Sequence, residues 1–390
     1  MRYRILGLVF VVAVGLIGCT TTRVASAPPP GIWQDQAFDY RRDRVAETRE
    51  TLFALDPAVV EGLTNGQRLG FTHERRLDLL LSQLYGPGGV RLAYNRGHST
   101  GAMQTWNERR GDCLSMTVLT YAAANALGLT AHMQEVRVPV IVDRHDGVEF
   151  VNGHVNVFVR NESDVAINGK SFRSGGIVID FEPQVGARNS GDWLTQDNIL
   201  ARFYNNRGTE FLVQRDYGQA YAYYKAAIET DPTFVPSFSN LAQLYSVRGL
   251  LPASEQLLRH ALALGGDSYA PLRTLHRLLT DQARLSEAQD VAKALAKLQD
   301  EDPYYWFGKG LVALREGRNG NAVDALERAA ELTTGFEEIH YHLGLAYLRN
   351  GQRKEASRQM AALSAINTEA PGLAVLNKKM AGLNASSSVH

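Results

Sequence analysis

The chain has 390 residues, which is enough for two or three domains. Hydrophobic residues make up 45% of it and charged residues 21%, the composition of an ordinary globular protein. The 41 basic residues balance the 41 acidic ones, so charge gives no case for binding nucleic acid or anionic lipid headgroups. Nucleic acid is therefore not expected as a partner.

The N-terminal residues have the pattern of an export signal. The apolar run over residues 5–17 follows two arginines and is too short to span a bilayer comfortably. A plain secretory signal and an uncleaved anchor both fit such a run. It ends in Leu16-Ile17-Gly18-Cys19, which resembles the lipobox of bacterial lipoproteins. The resemblance implies a signal peptide over residues 1–19, acylation of Cys19, and attachment to a membrane of the bacterial envelope.

The residue after this cysteine, Thr20, is not an aspartate, which in lipoproteins usually goes with the outer membrane, facing the periplasm. Residues 20–50 have the composition of a tether or linker, with three threonines and three consecutive prolines before residue 31. The charged stretch over 39–50 fits a solvated helix or more linker. At the other end, residues 384–390 are predicted to be a tail.

Residues 51–200 are predicted to form an α+β domain. Helical periodicity covers 75–84 and 113–127, and strand-like patterns follow over 134–142, 155–159 and 176–181. Helices followed by several strands favour a layout with an antiparallel sheet.

Residues 201–371 repeat with a period of 34. The position reserved for a small residue in each first helix reads Gly208, Ala242, His276, Gly310 and Gly344. This spacing resembles the tetratricopeptide repeat, whose small residues let paired helices pack closely. The resemblance implies an all-α solenoid of five repeats over 201–383, ending in a capping helix over 373–383. Its concave surface is expected to bind a protein or peptide.

Cys113 is the one cysteine outside the predicted lipid anchor. Gly111-Asp112 precedes it as an N-cap signal, so Cys113 is predicted to open a helix. The helix dipole and the unpaired N–H groups at that end favour a thiolate, the reactive form of cysteine. The same N–H groups can stabilise an oxyanion. The pattern therefore favours a nucleophile, and a buried inert thiol is the alternative.

Two further residues complete a constellation with Cys113. His154 opens one strand-like run and Asp180 lies near the end of another, as expected of a general base and the acid that orients it. Here the sequence resembles the transglutaminase-like superfamily of papain-like cysteine enzymes, over about residues 70–185. The matching segments are Gly111-Asp112-Cys113, Ala123–Leu129, Gly153-His154-Val155 and Ile179-Asp180. The resemblance implies that Cys113, His154 and Asp180 form a catalytic triad.

Several positions keep alternative interpretations. His132 and His145 are rivals of His154, and Asp192 is a weaker rival of Asp180. Related enzymes take a second oxyanion donor from a side chain upstream of the cysteine, which makes Gln104 and Trp106 candidates; ordinary helix packing is the other interpretation. A further set of aromatic residues either lines a binding groove or packs the first repeat and its joint: Phe203, Tyr204, Tyr217, Tyr221, Tyr223 and Tyr224.

Three functions fit these patterns. The favoured one is a peptidase or amidase that acts through Cys113 on a protein or peptide held by the repeats. The alternative is a catalytically idle scaffold or adaptor that uses the repeats to bind envelope proteins. A second alternative is transglutaminase-type acyl transfer to an amine. A thiol redox role ranks last, because no resolving cysteine exists. No cofactor and no metal are expected, since no ligand spacing suggests either.

Overall fold

The computed structural model describes thirteen segments of the chain: 28–64, 71–95, 98–137, 142–145, 148–151, 153–160, 166–167, 170–171, 175–181, 188–265, 268–332, 337–366 and 371–387. Cys19 and the predicted signal peptide lie outside these segments. Within them, no helix is both long and apolar enough to cross a membrane.

Five helices precede the main sheet: α1 (Arg49–Phe53), α2 (Pro57–Thr64), α3 (His73–Tyr85), α4 (Ala102–Glu108) and α5 (Cys113–Ala126). Helix α5 is the central one, with ten buried residues. It begins at the predicted position, and Gly128 follows it with a φ of +68°, a conformation that glycine adopts without strain.

The strands are β1 (Ala93–Tyr94), β2 (Arg110–Gly111), β3 (Ala131–Arg137), β4 (Val142–His145), β5 (Val148–Val151), β6 (His154–Arg160), β7 (Ala166–Ile167), β8 (Lys170–Ser171), β9 (Gly176–Ile179) and β10 (Arg188–Leu194). Four of them form an antiparallel sheet in the order β10-β3-β6-β9. The alternating valines of β6 share a core with α5. An α+β layout with an antiparallel sheet is therefore present.

The described segments after β10 contain the helices α6 (Gln196–Val213), α7 (Tyr217–Thr230), α8 (Val235–Val247), α9 (Leu251–Leu264), α10 (Tyr269–Asp281), α11 (Leu285–Asp300), α12 (Pro303–Arg315), α13 (Asn319–Leu332), α14 (Glu337–Arg349), α15 (Arg353–Ile366) and α16 (Pro371–Ser387). Each second helix, from α7 to α15, starts 34 residues after the previous one. Helices α6 to α15 thus form five pairs with the predicted period.

Small residues let the helices of a pair approach each other. A Cβ at Gly208 would lie 2.7 Å from the ring of Tyr224, and one at Gly310 would overlap the side chain of Leu326. These partners stand sixteen residues after their glycines. In the third repeat the corresponding residues are His276, which is half-buried, and Ala292. In the third repeat the larger residue therefore stands at the first of these two positions and the smaller residue at the second.

The predicted linker over residues 20–50 is corrected by the structure. Ile32 and Phe38 are buried in the core of the first repeats, and Phe38 stacks on Tyr221 with ring centroids 4.6 Å apart. Tyr245 donates a hydrogen bond to the carbonyl of Ile32 at 2.6 Å. Residues 32–47, here called the strap, are therefore docked on the solenoid. The strap packs on aromatic residues of the repeats. Its own polar composition gave no sign of this packing.

The predicted domain boundary between residues 200 and 201 also needs correction. It falls inside α6, because Thr195 caps that helix by accepting a hydrogen bond from the N–H of Asn198. Ile199, Leu200 and Phe203 of α6 lie in the same core as α5 and β6. The first repeat and the α+β unit consequently share one hydrophobic core.

The C-terminal helix is longer than predicted. Helix α16 runs from Pro371 to Ser387, so it includes the predicted cap and part of the predicted tail. Leu376 is fully buried in the core of the last two repeats. Residues 388–390 lie outside the described segments.

Candidate functional site

Cys113 is the first residue of α5 and is half-buried. Asp112 caps the helix, since its Oδ1 accepts hydrogen bonds from the Ser115 N–H at 2.8 Å and from the Ser115 hydroxyl at 2.6 Å. A Cβ at Gly111 would lie 2.7 Å from the Cβ of Ser115, which accounts for the glycine two residues before the cysteine. This helix end has the geometry that favours a thiolate.

Asp112 is itself buried. Burial raises the pKa of its carboxyl, against the opposing influence of hydrogen bonds from Ser115 and Ser99 and the charge of His98. Ser99 donates to Asp112 Oδ2 at 2.5 Å. The residue before the thiol is thus held by hydroxyl groups on both carboxylate oxygens.

His154 and Asp180 are in direct contact. The Nε2 atom of His154 lies 2.8 Å from Oδ1 of Asp180, and His154 is 1% exposed. Asn156 donates to the other carboxylate oxygen at 3.0 Å. His154 and Asn156 alternate with the core valines along β6, so both reach the residue that follows β9. The carboxylate can hold the imidazole in one orientation, as an orienting acid does.

The helix that carries Cys113 packs on the strand that carries His154. Thr117, one turn into α5, donates to the carbonyl of Val155 at 3.3 Å. Thr117 lies four residues after Cys113, and Val155 directly follows His154. This contact attaches the first turns of α5 to the start of β6.

The rival residues lie elsewhere. His132 stacks on Trp193 with ring centroids 4.6 Å apart, and burial, together with the charge of Arg160, lowers its pKa. His145 belongs to β4 and Asp192 belongs to β10; their side chains are outside the described part of the chain. Of these candidates, His154 and Asp180 are the two whose described side chains contact each other.

The two oxyanion candidates occupy α4. Gln104 is exposed and donates to Glu108 at 2.7 Å, one turn further along. Trp106 is half-buried against the core of the α+β unit. Gln104 thus contacts its own helix and Trp106 packs on the core, as ordinary helix residues do. An oxyanion role for either side chain remains a prediction.

The aromatic cluster fills the joint between the units. Phe203, Tyr204 and Tyr223 belong to the core of the α+β unit, whereas Tyr221 and Tyr224 belong to the core of the first repeats. All five are at most 6% exposed, which fits packing rather than a binding groove. Tyr217 is half-buried beneath the guanidinium of Arg248.

The structure contains a second histidine–carboxylate pair, which the sequence did not predict. His98 Nδ1 lies 3.2 Å from Oε2 of Glu210, which also pairs with Arg207 at 2.5 Å. These groups are 112 residues apart in sequence, and no motif marks them. In the described segments, no cluster of three or more His, Cys, Asp or Glu side chains is placed to hold a metal ion.

Comparison with known family models gives a match to one unit of the helical part. The family model described as tetratricopeptide repeat matches residues 201–234, which span α6 and α7. This segment is thus similar to one tetratricopeptide repeat. Residues 201–234 are the first of the five helical units, in agreement with the predicted register.

Several solved structures are similar to part of the chain. One is YrrB, a tetratricopeptide repeat protein described as having an unusual peptide-binding site, with 18% identity, 46% of this chain and 92% of that one covered, and a TM-score of 0.25. Another is MamA from Desulfovibrio magneticus RS-1, with 16% identity, coverages of 44% and 97%, and a TM-score of 0.24. The hetero-tetramer Cut9–Hcn1 has 19% identity, coverages of 47% and 38%, and a TM-score of 0.24. No curated protein matches the chain.

Proposed function

We propose that this protein is an adaptor that binds a protein or peptide through its tetratricopeptide array. The observation that carries the proposal is the run of five helix pairs in a constant period of 34, whose first unit matches the repeat family. Stacked repeats of this kind present an extended surface, and partner recognition is their usual role.

Side chains on the first helices of the pairs support a binding surface formed by those helices. Val247 in α8 and Val312 in α12 are 52% and 43% exposed, and both belong to first helices of the pairs. Tyr305 and Trp306 flank the ammonium group of Lys309 in α12, at 5.3 Å and 4.4 Å from the ring centroids. Exposed valines together with half-buried aromatic rings and an ammonium group suit a peptide with apolar side chains and a carboxylate.

Site-specific photo-cross-linking in cells tests the proposal. A photoreactive amino acid at Val312 reports on the layer of first helices, and one at Leu285, which is 67% exposed in α11, reports on the layer of second helices. We expect a discrete protein adduct from position 312 and none from position 285. Absence of adducts from position 312, or the same adducts from both positions, would contradict a binding surface on the first helices.

A second candidate function, acyl transfer at Cys113, is favoured by the contact between His154 and Asp180. In this reaction the Cys113 sulfur bonds to the carbonyl carbon of an amide, and His154 passes the thiol proton to the departing amine. The product is a thioester on Cys113. Water then releases a carboxylic acid, or a second amine forms a new amide, and either restores the thiol.

Alkylation with iodoacetamide across pH tests the second function in a chain with Cys19→Ser, which leaves Cys113 as the sole thiol. We expect half-maximal reactivity well below the pKa of about 8.5 of an unperturbed cysteine. His154→Ala should shift the profile towards that value, whereas His132→Ala should not. An unperturbed profile, or full complementation of a deletion strain by Cys113→Ala, would rule out a catalytic thiol.

We further propose that the adaptor is lipid-anchored through Cys19 in the bacterial outer membrane and faces the periplasm. The support is the sequence Leu16-Ile17-Gly18-Cys19 at the end of an apolar run. Replacing Cys19 with serine should move the protein from the membrane fraction to the soluble periplasmic fraction. A membrane-bound Cys19→Ser protein would contradict the lipid anchor.

A further inference from the structure

The segment that precedes α4 is held between the cysteine helix and the first repeat. The N–H of Thr100 donates to the hydroxyl of Ser115 in α5 at 2.8 Å, and the Ser99 hydroxyl donates to Asp112 at 2.5 Å. Ser99 and Thr100 are 3% and 2% exposed, so these contacts are made out of water. Residues 98–100 are therefore called the bridge.

Helix α6 holds the bridge from the opposite side. Asn206 donates to the Ser99 hydroxyl oxygen at 3.0 Å, and the N–H of Ser99 donates to Glu210 Oε1 at 2.9 Å. The other oxygen of Glu210 faces His98 and Arg207. Hydrogen bonds thus connect α6, the first repeat helix, through Ser99 to the carboxylate of Asp112, which caps the helix that begins at Cys113.

We infer that Asn206 and Glu210, which belong to the repeat array, are positioning residues for the Cys113 thiol. The inference rests on the thiol site proposed above. Ser99 donates its single hydroxyl proton to Asp112 because its oxygen accepts from Asn206 and its N–H is held by Glu210. Asp112 directly precedes Cys113 and caps its helix, and a carboxylate near a thiol disfavours the thiolate unless hydrogen bonds compensate the carboxylate charge.

The chain offers a matched control for this inference. Asn240 stands 34 residues after Asn206, at the same position of the second repeat, but it donates to Asn205 at 2.9 Å rather than to the bridge. Asn206→Ala and Asn240→Ala therefore remove the same side chain from equivalent helix positions. Only the first removes a hydrogen bond on the path to Cys113.

The experiment measures iodoacetamide alkylation of Cys113 across pH in the full chain with Cys19→Ser. We expect Asn206→Ala to raise the apparent pKa of the thiol by about one unit, which slows alkylation about tenfold below that pKa. Asn240→Ala should keep the original profile. Equal profiles for Asn206→Ala and the parent chain, or faster alkylation, would overturn the inference.

A double-mutant cycle guards against simple loss of structure. Ser99→Ala changes one buried atom and should raise the pKa as Asn206→Ala does, and the double variant should match Ser99→Ala alone, because Asn206 acts through Ser99. Additive effects would overturn the inference. An ordinary thiol pKa in the parent chain would contradict the proposed thiol site itself. A lowered thiol pKa in the parent that the substitutions leave unchanged would contradict only the role of α6.

Discussion

Lys225 of α7 and Asp35 of the strap form an ion pair across 190 residues of sequence, with Nζ 2.8 Å and 2.9 Å from the two carboxylate oxygens. The Lys225 side chain is 9% exposed, and Trp33 and Tyr40 lie 5.0 Å and 4.1 Å from its ammonium group. Tyr221 donates a further hydrogen bond to Asp35. The strap is therefore held by specific polar contacts as well as by the burial of Phe38.

Replacing Asp35 with asparagine should destabilise the protein in a pH-dependent way. Burial alone raises the pKa of Asp35, but hydrogen bonds from Lys225 and Tyr221 outweigh it, so the pKa lies below its ordinary value. A depressed carboxyl pKa contributes stability that is present above the unfolded pKa of about 3.9 and is lost as pH falls through the folded pKa. We expect Asp35→Asn to cost about 1–3 kcal/mol at pH 7, because Lys225 loses its charged partner.

Urea denaturation at pH 3 to 8 checks this expectation. The difference between the parent and Asp35→Asn should be constant above about pH 5 and should shrink below about pH 4. Asp39→Asn is the control, since the Asp39 side chain that pairs with Arg44 is 85% exposed, and an ion pair with such an exposed partner contributes at most about 1 kcal/mol. A difference for Asp35→Asn that persists unchanged at pH 3 would contradict the ion-pair explanation.

Two glycines of α12 should respond in opposite directions to alanine. A Cβ at Gly310 would overlap Leu326, so Gly310→Ala should destabilise the array by about 1–3 kcal/mol. Gly308 has no atom within 4 Å of an added Cβ, so Gly308→Ala should stabilise the helix by up to about 1 kcal/mol. Thermal unfolding of both variants measures the difference, and equal midpoints would show that the repeat pair does not pack as described.

Removal of the Asp180 carboxylate should cost more than removal of one of its partners. Asp180→Ala leaves buried His154 and Asn156 without this acceptor, at a cost of about 1–3 kcal/mol for each group. Asn156→Ala removes a single donor and retains the His154–Asp180 contact. We expect a clearly lower unfolding midpoint for Asp180→Ala than for Asn156→Ala, and the reverse order would argue against a stable pair between His154 and Asp180.

The shared core predicts where the chain can be divided. A fragment of residues 28–200 ends inside α6 and lacks Phe203 and Tyr204, so it should aggregate or show little tertiary structure. A fragment of residues 28–300 keeps the complete core of the first three repeats and should be monodisperse with cooperative unfolding. Circular dichroism and gel filtration compare the two, and a folded 28–200 fragment would restore the boundary suggested by the sequence.

The features that the sequence predicted depend on local patterns. The helix starting at Cys113 follows from Asp112 as its cap, and the repeats follow from residues such as Gly310 whose spacing is regular. The contact between His154 and Asp180 was predictable because neighbouring antiparallel strands bring such residues side by side. In each case the sequence pattern lies within one helix or repeat, or on strands that are neighbours in the sheet.

The features that the sequence did not predict depend on distant partners. Ile32 and Phe38 stand in a polar stretch without periodicity, and their burial is decided by Tyr221 and Tyr245 nearly two hundred residues later. The position of the domain boundary failed for a similar reason. The repeat pattern starts the first helix at its family position, whereas the cap at Thr195 extends it into the preceding unit.

The interior of the solenoid is interrupted at α11, whose one buried residue is Ala288. The apolar core that includes the strap ends there, and the next begins at Phe307 in α12. Contacts made by Asp300, through its carbonyl to Trp306 and its carboxylate to Arg328, are polar and exposed. Polar contacts of this kind tolerate rotation better than interlocked apolar side chains, so we expect elastic compliance to be greatest at this point. The array would then bend at α11, and such bending would change the distance between its ends.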